Sequence, residues 1–308
     1  MNFSIFERKK CEIQIQEVLA LNGVRIFIKR EDQIHPQISG NKFWKLYFNL
    51  KNYLETKPEN PMVISFGGAF SNHISALSFA AKNLSIKSLG VIRGEELSRK
   101  IQENPTLKFA EENGMQLRFV SREIYRRKDI LTENLQREFP DALIIPGGGT
   151  NEAAVLGVKM MLDERTKHFD YLCCAVGTGG TLAGISRFAE AHQKVLGFPV
   201  VKDDSLKRKI AELSGRENFE MIPADFGGYG KISDEVVNFI NDFYQRTKIP
   251  LEPVYTGKML LKIFQLAEEN YFPKGSEILA FHTGGLQGIS GANAFLQRKN
   301  RPQIKFCQ

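Results

Sequence analysis

Along the chain, short apolar runs rich in β-branched residues alternate with longer stretches whose apolar residues recur at helical spacing. That alternation is the pattern of a parallel α/β protein. Residues 24–29 predict a strand, and 43–54 a helix with one apolar face. A short apolar strand at 62–66 precedes an alanine-rich helix at 73–83, and 88–92 reads as another strand. The helix over 107–113 meets Gly114, a residue suited to end it in a left-handed conformation. Residues 116–120, 143–145 and 171–175 are further strands, while 182–193, 235–244 and 259–269 are helices. A late strand at 278–281 runs into His282-Thr283-Gly284-Gly285. The charged stretch 194–220 reads as a surface connection and a helix. The chain has no internal repeat, low-complexity tract or long flexible linker, and its strand order is expected to be scrambled relative to sequence.

At 308 residues the chain exceeds a typical single domain, which favours one large or two intertwined domains. Hydrophobic residues at 42% and charged residues at 25% allow a sizeable core. No apolar run reaches the length of a membrane-spanning helix, and residues 1–10 lack the apolar segment of a secretory signal. A cytoplasmic protein with no membrane partner is expected. The net charge of +7 raises the question of nucleic acid. The basic residues are scattered among acids, however, and the clusters Arg126-Arg127-Lys128 and Lys207-Arg208-Lys209 are short and lack interleaved aromatics. They read as a solvated basic surface, with no nucleic-acid partner. The four cysteines, Cys11, Cys173, Cys174 and Cys307, show no metal spacing. Cys173 and Cys174 lie in an apolar run and read as buried structural thiols; a reactive thiol is the alternative.

Three features could carry chemistry. Ser39-Gly40-Asn41-Lys42 opens the 43–54 helix, and Lys45 lies one turn on, on the same face. A nucleophilic lysine must be deprotonated part of the time and held in place, which a turn leading into a closed site can do. On spacing alone, two solvated lysines at a helix start would look the same. The second feature is Ser65-Phe66-Gly67-Gly68-Ala69-Phe70-Ser71-Asn72-His73, where a strand turns through two glycines into a helix. Unpaired N–H groups at a helix start suit a carboxylate or phosphate, though Ser71 or Asn72 would also serve as an ordinary cap. The third is Val176-Gly177-Thr178-Gly179-Gly180-Thr181, between an apolar strand and a helix. Its glycines permit close backbone approach to a phosphate and its threonines add donors. The dinucleotide fingerprint fails at Leu182, where a glycine is needed, and no Gly-Lys-Ser/Thr follows for a nucleotide loop. A phosphate monoester fits better. Two anion cradles and a loop lysine are the set an amino-acid enzyme needs to use pyridoxal phosphate.

At these residues the chain resembles the 1-aminocyclopropane-1-carboxylate deaminase and D-cysteine desulfhydrase family, pyridoxal-phosphate enzymes of the tryptophan-synthase-β fold type. The landmarks are Ile28-Lys29-Arg30-Glu31-Asp32, Gly40-Asn41-Lys42-Phe43-Trp44-Lys45-Leu46, Gly67-Gly68-Ala69-Phe70-Ser71-Asn72-His73, Gly177-Thr178-Gly179-Gly180-Thr181, Pro253-Val254-Tyr255-Thr256-Gly257-Lys258 and His282-Thr283-Gly284-Gly285, in the family's order. The resemblance implies two open, twisted, mostly parallel α/β domains with the cofactor in the cleft: a small one at 46–149 and a large one at 1–45 plus 150–308. It implies that Lys42 carries pyridoxal 5'-phosphate as a Schiff base. Lys45 and Gly177, Thr178, Gly179, Gly180 and Thr181 would hold its phosphate, and Asn72 its ring hydroxyl, with Thr256 and Thr283 beside the ring. Ser71, Asn72, His73 and Tyr255 would meet the substrate, Ser71 and Tyr255 also handling protons. A homodimer is expected from the resemblance.

Thr256 and Thr283 point within the family. Cyclopropane-opening members carry Glu and Leu at these places, whereas desulfhydrases carry threonine. A neutral threonine beside the pyridine nitrogen would not favour its protonation, leaving a weaker electron sink. The reading is therefore β-elimination from a small amino acid, D-cysteine giving pyruvate, hydrogen sulfide and ammonia. Deamination of 1-aminocyclopropane-1-carboxylate is the alternative. A non-catalytic pyridoxal-phosphate or amino-acid binding protein is a third reading, against which the intact Ser71 and Tyr255 stand. A nucleotide-binding oxidoreductase is weakened by the failed fingerprint.

Overall fold

A computed structural model of the chain describes residues 3–6, 13–228 and 230–306. Cys11 and Cys307 lie outside the described residues. The chain begins with a hairpin, β1 (Ile15–Leu21) and β2 (Val24–Lys29), turned by Asn22-Gly23 with both residues at positive φ, 51° and 81°. That conformation matches the twist of the two strands, and asparagine and glycine reach it at low cost. After a loop comes α1 (Asn41–Glu55). A run of strands and helices follows: β3 (Met62–Gly67), α2 (Asn72–Asn83), β4 (Lys87–Arg93), α3 (Pro105–Glu112), β5 (Gln116–Val120), α4 (Arg122–Arg126), α5 (Lys128–Glu138) and β6 (Leu143–Ile145). The chain then continues through α6 (Glu152–Val158), β7 (Tyr171–Val176), α7 (Gly180–Phe188), β8 (Lys194–Pro199), α8 (Leu206–Ser214) and β9 (Phe219–Met221). It closes with α9 (Asp234–Thr247), α10 (Thr256–Glu268), β10 (Glu277–Phe281) and α11 (Ile289–Arg298).

Two sheets result. The larger has the order β1-β2-β10-β7-β8-β9, the smaller β5-β4-β3-β6. Every pairing is parallel except β1 with β2. The strand order departs from chain order, as expected. Helices cover both faces of parallel strands, so those strands are apolar on both sides: all six residues of β7 are buried.

Two boundaries differ from the sequence reading. Residues 194–199, taken there as part of a surface connection, form β8, which lies inside the large sheet between β7 and β9. Gly197 and Pro199 disguise it, since both are poor strand formers. Gly197 is required there because a Cβ would stand 2.9 Å from Val176 Cγ2 and closer still to Leu182. The helix read over 182–193 ends at Phe188. Gln193 makes the turn: its Oε1 accepts the Glu190 N–H at 3.0 Å, and its Nε2 donates to the Thr166 and Phe169 carbonyls at 2.8 and 3.0 Å. Those partners are remote in sequence, so local propensity could not show them.

The helix α1 is anchored on both sides. Phe43, Trp44, Leu46 and Leu50 are at most 5% exposed, each such burial stabilising by about 1.5–3 kcal/mol. Beneath them Trp44 Nε1 donates to Glu31 Oε2 at 2.8 Å, and Lys29 Nζ donates to the Met161 carbonyl and Asp163 Oδ2 at 2.5 and 2.9 Å. The first turn of α1 is thus held rigidly where the C-terminal ends of both sheets meet, which is where parallel α/β folds bind ligands.

Candidate active site

Gly40 sets up Lys42. Its φ is +67°, and a Cβ there would overlap the Thr283 carbonyl, so the loop before α1 lies backbone to backbone against the end of β10. Lys42 follows in the first turn of α1. Its Nζ donates to Asn41 Oδ1 at 3.1 Å, while Asn41 Nδ2 donates to Thr181 Oγ1 at 2.7 Å. Asn41 therefore ties the lysine to the start of α7. Lys42 is half-buried as a residue, but its amine is enclosed. Burial lowers its pKa to about 8, against the pull of the Glu252 carboxylate, which raises it.

Lys45 lies against two glycine loops, Gly147 to Thr150 and Gly177 to Thr181. Its Nζ donates to the Gly148 carbonyl at 2.6 Å and to Thr150 Oγ1 at 3.2 Å. Thr150 Oγ1 and Thr178 Oγ1 are 2.6 Å apart, closing the ring of polar groups. Gly180 is needed here, because a Cβ would stand 3.0 Å from Lys45 Nζ. Burial, then the neighbouring charge of Lys42, hold the Lys45 amine well below its ordinary value. No carboxylate pairs with it among the described residues. A buried amine without a counter-charge is suited to a bound anion. The loop Pro146-Gly147-Gly148-Gly149-Thr150-Asn151 was missed in the sequence, although it carries the same strand–glycine–helix signal as Gly177 to Thr181.

On the opposite side, Ser71 Oγ accepts the Ile74 N–H at 3.2 Å and caps α2, leaving its hydroxyl hydrogen free to donate. Asn72 extends toward the large sheet: its Nδ2 is 4.0 Å from the position a Cβ on Gly285 would take, and Glu252 Cγ is 3.2 Å from that same point. Tyr255, at the start of α10, places its hydroxyl 3.3 Å from the corresponding point on Gly177. His73 is 2% exposed and lies beneath the loop. Ser65 Oγ donates to the Ile145 carbonyl at 2.8 Å, so it accepts from His73 Nε2 at 2.9 Å. Nδ1 then carries the lone pair, faces Gly149, and has no hydrogen-bond partner. Burial and the charges of Lys42 and Lys45 keep this ring neutral.

Beyond that loop, the sequence also did not reveal Glu252. It is 4% exposed. Its carboxylate accepts the Val254, Tyr255 and Thr256 N–H groups at 2.8, 2.7 and 2.5 Å, and the Thr256 hydroxyl at 3.2 Å. An acid at a helix start is the available signal. Burial raises its pKa, and those hydrogen bonds oppose the rise. Thr256 is fully buried and Thr283 is 8% exposed. Cys173 and Cys174 are fully buried, and burial pushes the Cys174 thiol up to about 12 despite Lys45, so neither is a reactive thiol.

These residues fit pyridoxal phosphate. One enclosed amine lies near neutrality, and a second lacks a counter-ion beside two threonine hydroxyls. The glycines clear space at the loops, and the unpartnered His73 Nδ1 adds an acceptor. Replacing Thr178 and Thr181 together by valine should weaken cofactor affinity by roughly tenfold or more, since charge-assisted hydrogen bonds contribute about 1.5–3 kcal/mol each. Titration of the apoprotein with cofactor checks this, and an unchanged affinity would contradict the assignment of the loop.

No helix among the described residues is long and apolar enough to cross a membrane, and no group of three or more potential metal ligands is present among them. The model of the pyridoxal-phosphate dependent enzymes matches residues 12–284. A Pyrococcus horikoshii protein that carries the provisional name 1-aminocyclopropane-1-carboxylate deaminase is 32% identical over 86% of this chain and 86% of its own. A mitochondrial Arabidopsis thaliana protein named as a bifunctional D-cysteine desulfhydrase and 1-aminocyclopropane-1-carboxylate deaminase is 28% identical over 87% of this chain and 74% of its own. The crystal structure of a homologue of the latter deaminase superposes with a TM-score of 0.78 at 29% identity, covering 96% of this chain and 99% of the other. With the fold, the amines and the loops in place, the chain belongs to the pyridoxal-phosphate-dependent enzymes, within the family of 1-aminocyclopropane-1-carboxylate deaminases and D-cysteine desulfhydrases.

Proposed function

We propose that the protein eliminates the β-substituent of a small amino acid, D-cysteine giving pyruvate, hydrogen sulfide and ammonia. The site lies in the cleft between a unit of residues 46–149 and the rest of the chain. Lys42 would carry the cofactor, and its amine would take the α-proton. Lys45 and the Gly177 to Thr181 loop hold the phosphate. Ser71 and Asn72 orient the substrate carboxylate with their free donors, and Tyr255 closes the other side. When bound, the cofactor would supply the electron sink for chemistry at the α-carbon.

The observation that carries this reading is the placement of the Lys42 amine, held by Asn41 against the start of α7 and one helical turn from the Lys45 amine, with burial lowering its pKa to about 8. Such a base is partly free at neutral pH and strong enough to take a proton from a carbon acid. Thr256 supports elimination over ring opening. Its hydroxyl donates toward Glu252 and accepts the Glu252 N–H at 3.2 Å, so it offers only a neutral lone pair to a pyridine nitrogen. Glu252 is itself committed to the start of α10. Opening a cyclopropane demands more from the sink than expelling a thiolate, because that substrate has no α-proton to lose. D-Cysteine should therefore show a higher kcat/KM than 1-aminocyclopropane-1-carboxylate, measured as keto-acid release. Changing Thr256→Glu with Thr283→Leu should shift the ratio toward the cyclopropane acid. A parent enzyme that already prefers the cyclopropane acid would replace this reading with deamination.

A further inference from the structure

Two basic side chains at the C-terminal edge of the small sheet have no role in the site described so far. Arg93 ends β4 and Lys128 opens α5. Both lie over the ring of Tyr125, the Arg93 guanidinium carbon 5.8 Å and Lys128 Nζ 5.2 Å from its centroid. Tyr125 is 9% exposed and meets Phe66 edge-on, with centroids 6.5 Å apart. One fixed aromatic ring thus carries two cations.

Each cation borders a glycine of the cleft. Arg93 Nη2 is 3.7 Å from the point where a Cβ on Gly68 would stand, and Lys128 Nζ is 3.8 Å from that point on Gly147. Gly68 leads into the loop bearing Ser71 and Asn72. Gly147 precedes the carbonyl that receives Lys45. The two cations therefore stand beside the two glycine loops that border the candidate site.

Their charge is left open. Neither forms an ion pair among the described residues, whereas the neighbouring Arg122 and Arg127 pair with Glu96 and Glu123. Desolvation, then Arg93 and Lys209 of α8, lower the Lys128 ammonium. Asp203 opposes them, but it already accepts from Ser205 and faces Lys209 at 3.5 Å. Like charges converging from both sheets repel one another, and an anion between them relieves that repulsion.

We propose that Arg93 and Lys128 form a subsite for a negatively charged β-substituent, so that the substrates best matched are amino acids whose β-substituent carries its own charge and leaves as an anion, such as a phosphate or sulfate ester. The inference rests on the elimination read above and names its substrate class. With O-phosphoserine, Lys42 takes the α-proton, the Cβ–O bond breaks with its electron pair on the phosphate oxygen, and one water hydrolyses the remaining three-carbon unit. The products are pyruvate, ammonia and inorganic phosphate. No oxidant or reductant is needed. Hydrosulfide leaving from D-cysteine is the smallest anion of the same kind.

The test is a spectral titration of the holoenzyme with both enantiomers of O-phosphoserine and of serine, and with inorganic phosphate, at low and high salt. In parallel, keto-acid release is compared for O-phosphoserine, O-acetylserine and D-cysteine. O-Phosphoserine of one hand should bind on the order of tenfold more tightly than serine at low salt, the gap narrowing as salt screens the charges. The gap should close in the Arg93→Gln/Lys128→Gln double variant, whose fold is checked by thermal melting; both side chains are exposed. Equal binding of phosphoserine and serine would overturn the proposal, as would a gap that survives the double substitution. Inorganic phosphate binding as tightly as phosphoserine without competing with it would also overturn it, in favour of a free-anion site. Tight, charge-dependent phosphoserine binding without keto-acid release from any substrate would remove the elimination and keep the subsite. Release from D-cysteine and O-acetylserine with no phosphoserine preference would do the reverse.

Discussion

Replacing Lys42 by alanine should lower turnover by roughly 10^3-fold or more, because the substitution removes both the proposed attachment point and the proposed base. The apoprotein should still fold, since among the described residues Lys42 bonds its neighbour Asn41 alone and α1 is anchored by Trp44, Leu46 and Leu50. Borohydride reduction of the loaded parent followed by peptide mapping should place the pyridoxyl group on Lys42 and leave none in the variant. A label on Lys45 would transfer the role to that residue. Titration gives an independent check. The Lys42 amine has a pKa of about 8 when folded, against 10.5 for an ordinary lysine. The unfolded chain therefore binds more protons between those values, and the apoprotein should gain stability as pH rises through that window. Below pH 8 the cost of charging the enclosed amine is fully present. Denaturant melts of apo parent and Lys42→Ala should diverge across the window, the parent gaining relative to the variant as pH rises. Parallel curves would mean that Lys42 titrates as an ordinary surface lysine.

Glu252→Gln should destabilise the apoprotein by about 2–4 kcal/mol, from the loss of charge-assisted bonds at a helix start and the insertion of a donor among donors. The backbone N–H groups of Val254, Tyr255 and Thr256 all point at this carboxylate. An amide presents one oxygen and one NH2, so at least one of these donors loses its acceptor. The same substitution removes the charge that raises the Lys42 pKa. Lys42 should then titrate below about 8, and the pH dependence of cofactor incorporation should move to lower pH with it. Chemical denaturation and incorporation rates across pH measure the two effects separately. Unchanged stability would show that the N–H groups find other partners. An unmoved profile would show that Glu252 does not act on Lys42.

Much of the site was legible because its chemistry is local in sequence. Gly40-Asn41-Lys42 and Gly177 to Thr181 each place a functional group within a residue or two of a turn, and a turn declares itself by its glycines. Ser71 was readable for the same reason, as a cap before an alanine-rich helix. The Gly147 to Thr150 loop carries the same signal after the strand at 143–145, but it has no lysine, asparagine or serine within it to declare a function. Glu252 gave almost none. A lone acid before a proline looks like any loop residue until α10 turns its first N–H groups onto it.

What the chain determines by itself is the sequence of elements and the chemical groups at their ends. Apolar runs of strand length, amphipathic helices and glycine turns follow from short-range sterics and burial, and they need no partner to be recognised. Tertiary structure decided where β8 lies, since a run broken by Gly197 and Pro199 becomes a strand only when β7 and β9 flank it. It decided that Asn41 reaches Thr181, 140 residues away, and that Lys45 meets the Gly148 carbonyl, 103 residues away. It also decided the state of Lys42, whose amine is near neutrality because surfaces from distant segments exclude water around it. Hydration and electrostatic fields depend on what surrounds a group in space, and a linear chain records only what precedes and follows it.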